Sequence, residues 1–287
     1  MNKIMLVFTA VIALACTTAC GLNGEDYKKR QTFEGNNIDE IELNNDSWDA
    51  IFRNSESTAI TIEVDGKNKD KNSVPVTIEQ VGKKIMIHQE KQQSGVMDGI
   101  SLGKEGIITI SIPKNEVSSI IANHHYGDLT MKDIQAHSIT VFGESGVGDI
   151  EGVFADKAQF TSKDGELSVK NSSLKELTMS SHSGDNYLTH VTSDKMTITS
   201  RDGEVVVKEA AEGELLCIET GSGDVAVSYK TAPTSLMLTA ASDSSDITID
   251  LARFKETKQI ENAKEGRIGA AENTMRIISK TGIIQVK

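Results

Sequence analysis

The chain has 287 residues, with 42 acidic against 30 basic side chains and a formal net charge of −12. That balance argues against nucleic acid and anionic lipid headgroups as partners. One Trp, seven Phe and four Tyr leave little material for a carbohydrate cleft walled by rings, whereas a core of small aliphatic side chains needs few.

Residues 1–20 read as a targeting segment. Lys3 gives a positive start, and residues 4–15 form a twelve-residue apolar run interrupted only by Thr9. Such a run is too short for a spanning helix and suits a secretory signal. It ends in ALACTTACG, where a small residue before cysteine resembles the lipobox of bacterial lipoproteins. That resemblance implies a diacylated cysteine that becomes the mature amino terminus. Cys16 has the more continuous apolar approach; Cys20 has the more usual signal length and a following glycine. Ordinary cleavage after the Ala-x-Ala at 13–15 is the competing reading. Residues 21–30 (GLNGEDYKKR) are polar and read as a tether, and two acyl chains suffice for stable attachment to a membrane.

Residues 31–115 read as N-terminal β coils and a cap, with strands over 38–43, 59–64, 76–80, 84–88 and 107–112. Trp48 and Phe52 supply the large apolar residues a capping layer needs, and Pro113 closes the last of these strands. Residues 92–106 and 251–273 read as irregular insertions, the second lying between the last two repeats.

From residue 116 onward a glycine-acid dipeptide recurs, at Gly127-Asp128, Gly148-Asp149, Gly165-Glu166, Gly184-Asp185, Gly203-Glu204 and Gly223-Asp224. The gaps are 21, 17, 19, 19 and 20 residues, with a degenerate Ser245-Asp246 and a terminal Gly282. Self-similarity at this period marks stacked supersecondary units. Aligned on the glycine, position −7 holds Ile120, Ala158, Leu177, Met196 and Leu216, and position −5 holds Ala122, Phe160, Met179, Ile198 and Ile218. Apolar residues return at +2 and +4, where Asn186 is the polar exception. The alternation has the period of strands with one buried face. Ile134, Val153, Leu174 and Val191 lie between copies and supply a third short side. The expected fold is all-β, a single-domain parallel β-solenoid with coils of about 19–20 residues, like residues stacking at about 4.8 Å.

Position −3 holds Ser162, Ser181, Ser200, Thr220, Ser242 and Ser279, a hydroxyl column suited to bonding the backbone of the corner. The acids form another column, Asp128, Asp149, Glu166, Asp185, Glu204, Asp224 and Asp246. Carboxylates about 4.8 Å apart repel by about 0.9 kcal/mol per pair in water. The column reads as turn capping; its alternative is a set of calcium ligands, since calcium takes carboxylate and carbonyl oxygens. His88, His124, His125, His137, His182 and His190 form no recurrent group, and Cys217 lies on the outward phase of its strand.

The segments FEGNNIDEIELNNDSWDAIF, ITISIPK, the serial SGD turns and the closing GRIGAAENTMRIISKTGIIQVK resemble a family of bacterial β-strand-repeat proteins. That family is a domain of unknown function labelled "putative adhesin" and includes LiaG-like envelope proteins. The resemblance covers residues 31–287 and implies no catalytic residues. The reading that follows is a non-catalytic cell-envelope protein outside the cytoplasmic membrane, anchored by lipid, with an envelope protein or cell-wall polymer as partner and no cofactor. The alternatives are a polysaccharide-acting enzyme using Asp185, Glu204 or Asp224, and a calcium-stiffened spacer.

Overall fold

The computed structural model describes residues 24–70, 72–90, 105–114, 117–244 and 246–287. They are all-β: strands run from Glu25–Glu34 to Ile284–Val286, and the one helical element among them is a 3-10 turn at Gly35–Asn37. Each of the five strands expected before residue 115 is present; four have both ends within two residues of the expectation, and the one expected over 59–64 runs on to Asn68.

The repeating unit is a strand, a tight turn and a second strand. Across the middle of the molecule each unit pairs in parallel with the next, residue i opposite residue i+19. Thus Ile139 faces Ala158, which faces Leu177, which faces Met196. After the turn, Ile150 faces Val169, then Leu188, then Val207. Alternate side chains point inward, and these residues are all buried in one cluster. Full burial of each Leu, Ile or Met contributes about 1.5–3 kcal/mol, and apart from Asn186 the inward sites of the ladder are apolar. Where a tier carries a large ring it carries a small partner two residues away: Ala158 beside Phe160, Ala50 beside Phe52. The side chains thus fill a cross-section of constant width.

The stack order departs from the sequence order at both ends. Strands Glu40–Asn45 and Asp49–Ser55 are second in the stack, lying between Lys84–Gln89 with Gly106–Pro113 outside and Ser119–His124 with Leu129–Lys132 inside. The chain therefore leaves Pro113 in the first tier and re-enters at Ser119 in the third. At the other end, Asn273–Ser279 and Ile284–Val286 slot between Leu215–Thr220 with Val225–Tyr229 and the outermost Leu236–Ser242 with Ile247–Ile249. Antiparallel strands close both ends. Glu25–Glu34 lies on Ala59–Asn68, which lies on Gly106–Pro113, and Val76–Val81 lies on Lys84–Gln89. Ala263–Ile268 covers Leu236–Ser242 and is itself covered by Lys255–Ile260. Caps of this kind remove open ladder edges that would otherwise template association.

Four expectations change. Residues 25–30, assigned to a tether, begin the first strand. The segment 251–273, assigned to an irregular insertion, holds the antiparallel pair just described. Strict parallel stacking in sequence order holds only between the inverted ends. Trp48, assigned to a capping layer, lies in the turn of the second tier, fully buried, with Gly66 and Gly106 beneath its ring.

Candidate functional site

The turn between the two strands of each tier carries the recurrent polar residues, so any recurrent chemistry would lie along this edge. Its spine is a glycine column, Gly127, Gly146, Gly165, Gly184, Gly203, Gly223 and Gly282. A Cβ added at Gly146 or beyond would fall within 3.0 Å of the carbonyl of the glycine beneath it. Glycine is required here by the close approach of backbone to backbone. The second copy is thereby corrected: its turn glycine is Gly146, and Gly148 lies two residues on, in register with Leu129 and Leu167. Ile139 and Val141 are its inward residues, and the copy keeps the 19-residue spacing.

Three residues before five of these glycines, and before Ser245, stands a Ser or Thr whose hydroxyl is taken up by turn backbone or by a neighbouring polar side chain. Ser162 Oγ accepts from Gly165 N–H at 2.9 Å and donates to Gly165 O at 2.8 Å; Ser200 does the same to Gly203 at 3.0 and 2.9 Å. Thr220 donates to Gly223 O at 2.8 Å, Ser279 accepts from Gly282 N–H at 2.8 Å, and Ser242 donates to Gly282 O at 2.6 Å. Ser181 Oγ donates to Ser200 Oγ at 3.1 Å and accepts from Asn186 Nδ2 at 2.7 Å. The hydroxyls are thus consumed in structure, as buried polar groups must be.

The same column continues toward the N-terminal end as Gly143, His124, Asn45 and Gln89, a run the alignment on Ser and Thr does not reveal. Gln89 Oε1 accepts from the Asp46 and Ser47 N–H groups, both at 2.8 Å. His124 Nε2 lies 2.6 Å from Gly127 O and its Nδ1 2.9 Å from Asn45 Nδ2. A carbonyl only accepts and an amide nitrogen only donates, so His124 sits as the neutral Nε2–H tautomer. Burial, the largest influence, pulls its pKa below the ordinary value, against the bond to Gly127 and the charges of Asp49 and Asp128.

The acid column is shorter than the dipeptides imply. Asp128, Glu166, Asp185, Glu204, Asp224 and Asp246 follow the turn, but the second copy has Val147 and the last has Ile283. Asp149 stands two positions further on, opposite Thr130 and Ser168 and 3.0 Å from Lys170 Nζ. Each of three aspartates caps the neighbouring tier: Asp128 Oδ1 accepts from Val147 N–H at 3.1 Å, Asp185 from Glu204 N–H at 2.8 Å, and Asp224 from Ile283 N–H at 2.8 Å. Asp49 begins the series by accepting from Asp128 N–H at 3.0 Å. Tyr187 donates to Asp185 Oδ2 at 3.1 Å, with Glu204 Oε2 at 3.5 Å, and its hydroxyl pKa is pushed up to about 12 by burial and by Asp185. Among the described residues no three His, Cys, Asp or Glu side chains converge as a metal site.

The remaining polar groups are dispersed. His137 pairs with Asp156, His190 with Glu209 at 2.7 Å, and His182 accepts from Arg201 at 3.2 Å. Cys217 is half-buried, 4.0 Å from Arg276 Nη1. An open pocket of about 350 Å³ lies beside the turns of the first three tiers, lined by Asn44, Asp46, His88, Glu90, Asn123 and His125 among others. Cys16 and Cys20 lie outside the described residues.

The sequence of residues 38–287 matches the Toastrack DUF4097 family model. The chain belongs to that family. Among solved structures, this Toastrack chain is similar to a "putative lipid binding protein" from Parabacteroides distasonis, at 14% identity and a TM-score of 0.51, over 91% of this chain and 96% of that one. It is similar also to "putative adhesin" structures from Parabacteroides distasonis (13%, TM-score 0.45, 91% and 97% covered) and Parabacteroides merdae (12%, 0.42, 92% and 97%). At such identities the likeness speaks of fold alone. No curated protein matches the chain.

One structural column of this Toastrack chain escaped the sequence reading. Asp133, Gly152, Asn171, His190 and Glu209 stand 19 residues apart and all take positive φ, between 50° and 66°. They form the corner between the second strand and the third side. Asn and Asp tolerate this conformation and Gly takes it freely, so three of the five residues carry a signal that a period of 19 could have brought out.

Proposed function

We propose that this chain is a non-catalytic, lipid-anchored protein of the bacterial cell envelope that presents a rigid β-solenoid for adhesion-type contacts. The observation that carries the reading is the fate of the turn edge. Its repeated hydroxyls bond turn backbone or one another, its aspartates cap neighbouring tiers, and among the described residues of this edge no nucleophile stands beside a base. A repeated polar edge used up in backbone bonding belongs to architecture, and a stack of like tiers offers extended faces for contact. Family membership and the lipobox-like leader support the same reading. No helix among the described residues is long and apolar enough to cross a membrane; in this reading the lipobox-like leader carries the anchor, at Cys16 or Cys20.

The first strand begins at Glu25. It lies five positions after Cys20 and nine after Cys16, a reach of about 17 Å or about 30 Å in extended chain. The N-terminal cap would therefore stand close to the lipid surface and the stack would project from it.

The test uses the full chain purified in mild detergent, incubated with insoluble wall material and with detergent-solubilised membrane from the native envelope. Retention on wall, or capture of one discrete membrane protein, together with loss of membrane association in Cys16→Ala or Cys20→Ala, supports the reading. Binding to neither fraction, or a chain released to the soluble fraction with both cysteines intact, overturns it.

A further inference from the structure

The two sheets of the stack differ in what they show to solvent. After the turn, the outward positions carry Lys132, Asp149, Glu151, Lys170 and Lys208, interspersed with Thr130, Ser168, Tyr187, Thr189 and Val206. Before the turn, each of three successive strands has three outward positions: the one farthest from the turn carries the charged column Lys157, Glu176 and Lys195, and the two nearer it carry Gln159 and Thr161, Thr178 and Ser180, and Thr197 and Thr199, all in register. The next strand toward the N-terminal end adds Thr140 and Phe142, and the one beyond adds Ile121 and Asn123. In a chain of which 25% is charged, these two columns hold no charge over five strands. Charge returns at both ends, with Glu219 bonded to Arg276 at 2.6 Å and with Glu42 bonded to Lys84. Phe142, 40% exposed, is the one aromatic ring on the face.

We propose that this uncharged two-column strip is a docking surface for a neutral, hydroxyl-bearing linear polymer, a glycan strand. The proposal deepens the adhesion reading and rests on it. Three observations select the occupant. First, the protein carries a net charge of −12, which repels anionic polymers, while cations would be drawn to the acid column on the turn edge. The two columns nearest the turn offer no charge of their own to a partner, and a neutral one fits them. Second, five strands at about 4.8 Å and two columns about 7 Å apart make a strip of roughly 300 Å². A stable copy-to-copy interface needs about 800 Å² from each partner, so the strip is too small for a dimer and has the long, narrow form of a polymer. Third, hydroxyls and amides recur along it at every rung. Ser180 Oγ donates to Thr161 Oγ1 at 3.2 Å, and the remaining Thr hydroxyls exchange water for sugar hydroxyls at small net cost. Phe142 offers a flat apolar face against which a sugar ring can pack. Scarcity of rings makes each contact weak, and retention comes from repetition along one chain.

The experiment is native affinity electrophoresis of the full chain in mild detergent, with hydroxyethylcellulose, a β-1,3-glucan or an α-mannan cast in the gel, and carboxymethylcellulose as the anionic counterpart. We expect retardation by at least one neutral polymer and none by the carboxymethyl form. Phe142→Ala and Thr178→Asp should each weaken retardation at least tenfold with thermal unfolding unchanged, whereas Thr189→Asp on the other sheet should not. No retardation by any of the three, equal retardation of the Thr178→Asp protein, or a dimer in light scattering that Thr178→Asp dissolves would overturn the proposal. Wall retention in the envelope assay without retardation here removes this surface and leaves the adhesion reading standing.

Discussion

Replacing Gly184 by alanine tests the close stacking of the turns. The new Cβ would lie within 3.0 Å of the Gly165 carbonyl, with the Gly165 carbon at 2.6 Å. Ordinary contact begins near 3.4 Å, so the turn must retreat by more than about 0.8 Å. The tiers here are joined by Ser183 N–H to Lys163 O at 2.9 Å and Asp202 N–H to His182 O at 2.9 Å. Lengthened by that much, such bonds are lost. Two broken bonds at about 1 kcal/mol each, plus the cost of leaving their groups unpaired, come to about 4 kcal/mol. Gly82 is the control: its φ is +62° but an added Cβ there meets nothing within 4 Å, so alanine costs about 1 kcal/mol of backbone strain alone. Thermal unfolding should fall by about 8–16 °C for Gly184→Ala and by a few degrees for Gly82→Ala. Hydrogen exchange should show the loss centred on the turns at 165 and 203. Equal effects of the two substitutions would refute the reasoning.

Further predictions concern the buried polar column. Ser200→Ala strands the N–H and C=O of Gly203 and should cost about 1–3 kcal/mol in denaturant unfolding, whereas Ser200→Thr, the residue found at 220, should be tolerated. Asn186 sits among Leu167 and Val205 with its Oδ1 buried and unpaired; Asn186→Val should stabilise by about 1 kcal/mol, and a loss of stability would show that its bond to Ser181 outweighs that cost. His124 gives a pH dependence. Its folded pKa is depressed, so the unfolded chain binds the proton more readily. Stability is complete above about 6.5 and falls with pH below it, by up to about 1.4 kcal/mol per pH unit, until the folded pKa is reached. His124→Gln should remove that slope between pH 7.5 and 5.5; an unchanged slope would assign it to another group.

Period, alternation and inward faces are legible in the sequence because each follows from local spacing. The misplacement at Gly148 shows the limit of reading by motif: a Gly-Asp dipeptide outranked the 19-residue count, which leads from Gly127 to Gly146. The hydroxyl column was readable while it stayed Ser and Thr, and was lost where His124, Asn45 and Gln89 do the same work with longer side chains. The inverted ends left no trace. Leu216 packs as well on Met275 as it would on Leu238, since an aliphatic ladder carries no record of which tier lies next. The antiparallel caps were hidden for a related reason: in Lys255–Ile260 all six side chains are exposed, so burial imprints no alternation on them.

The stack order can be tested with the native Cys217. Arg276 lies directly opposite it in the neighbouring strand, whereas Thr239 lies one strand further out. Had the tiers followed the sequence, Thr239 would face Cys217 instead. Adjacent parallel strands bring opposite Cα atoms within the range a disulfide can bridge, and a strand at twice that distance does not. Under mild oxidation, with the linkage mapped by peptide mass, Arg276→Cys should crosslink to Cys217 and Thr239→Cys should not. A crosslink from position 239 and none from position 276 would contradict the account.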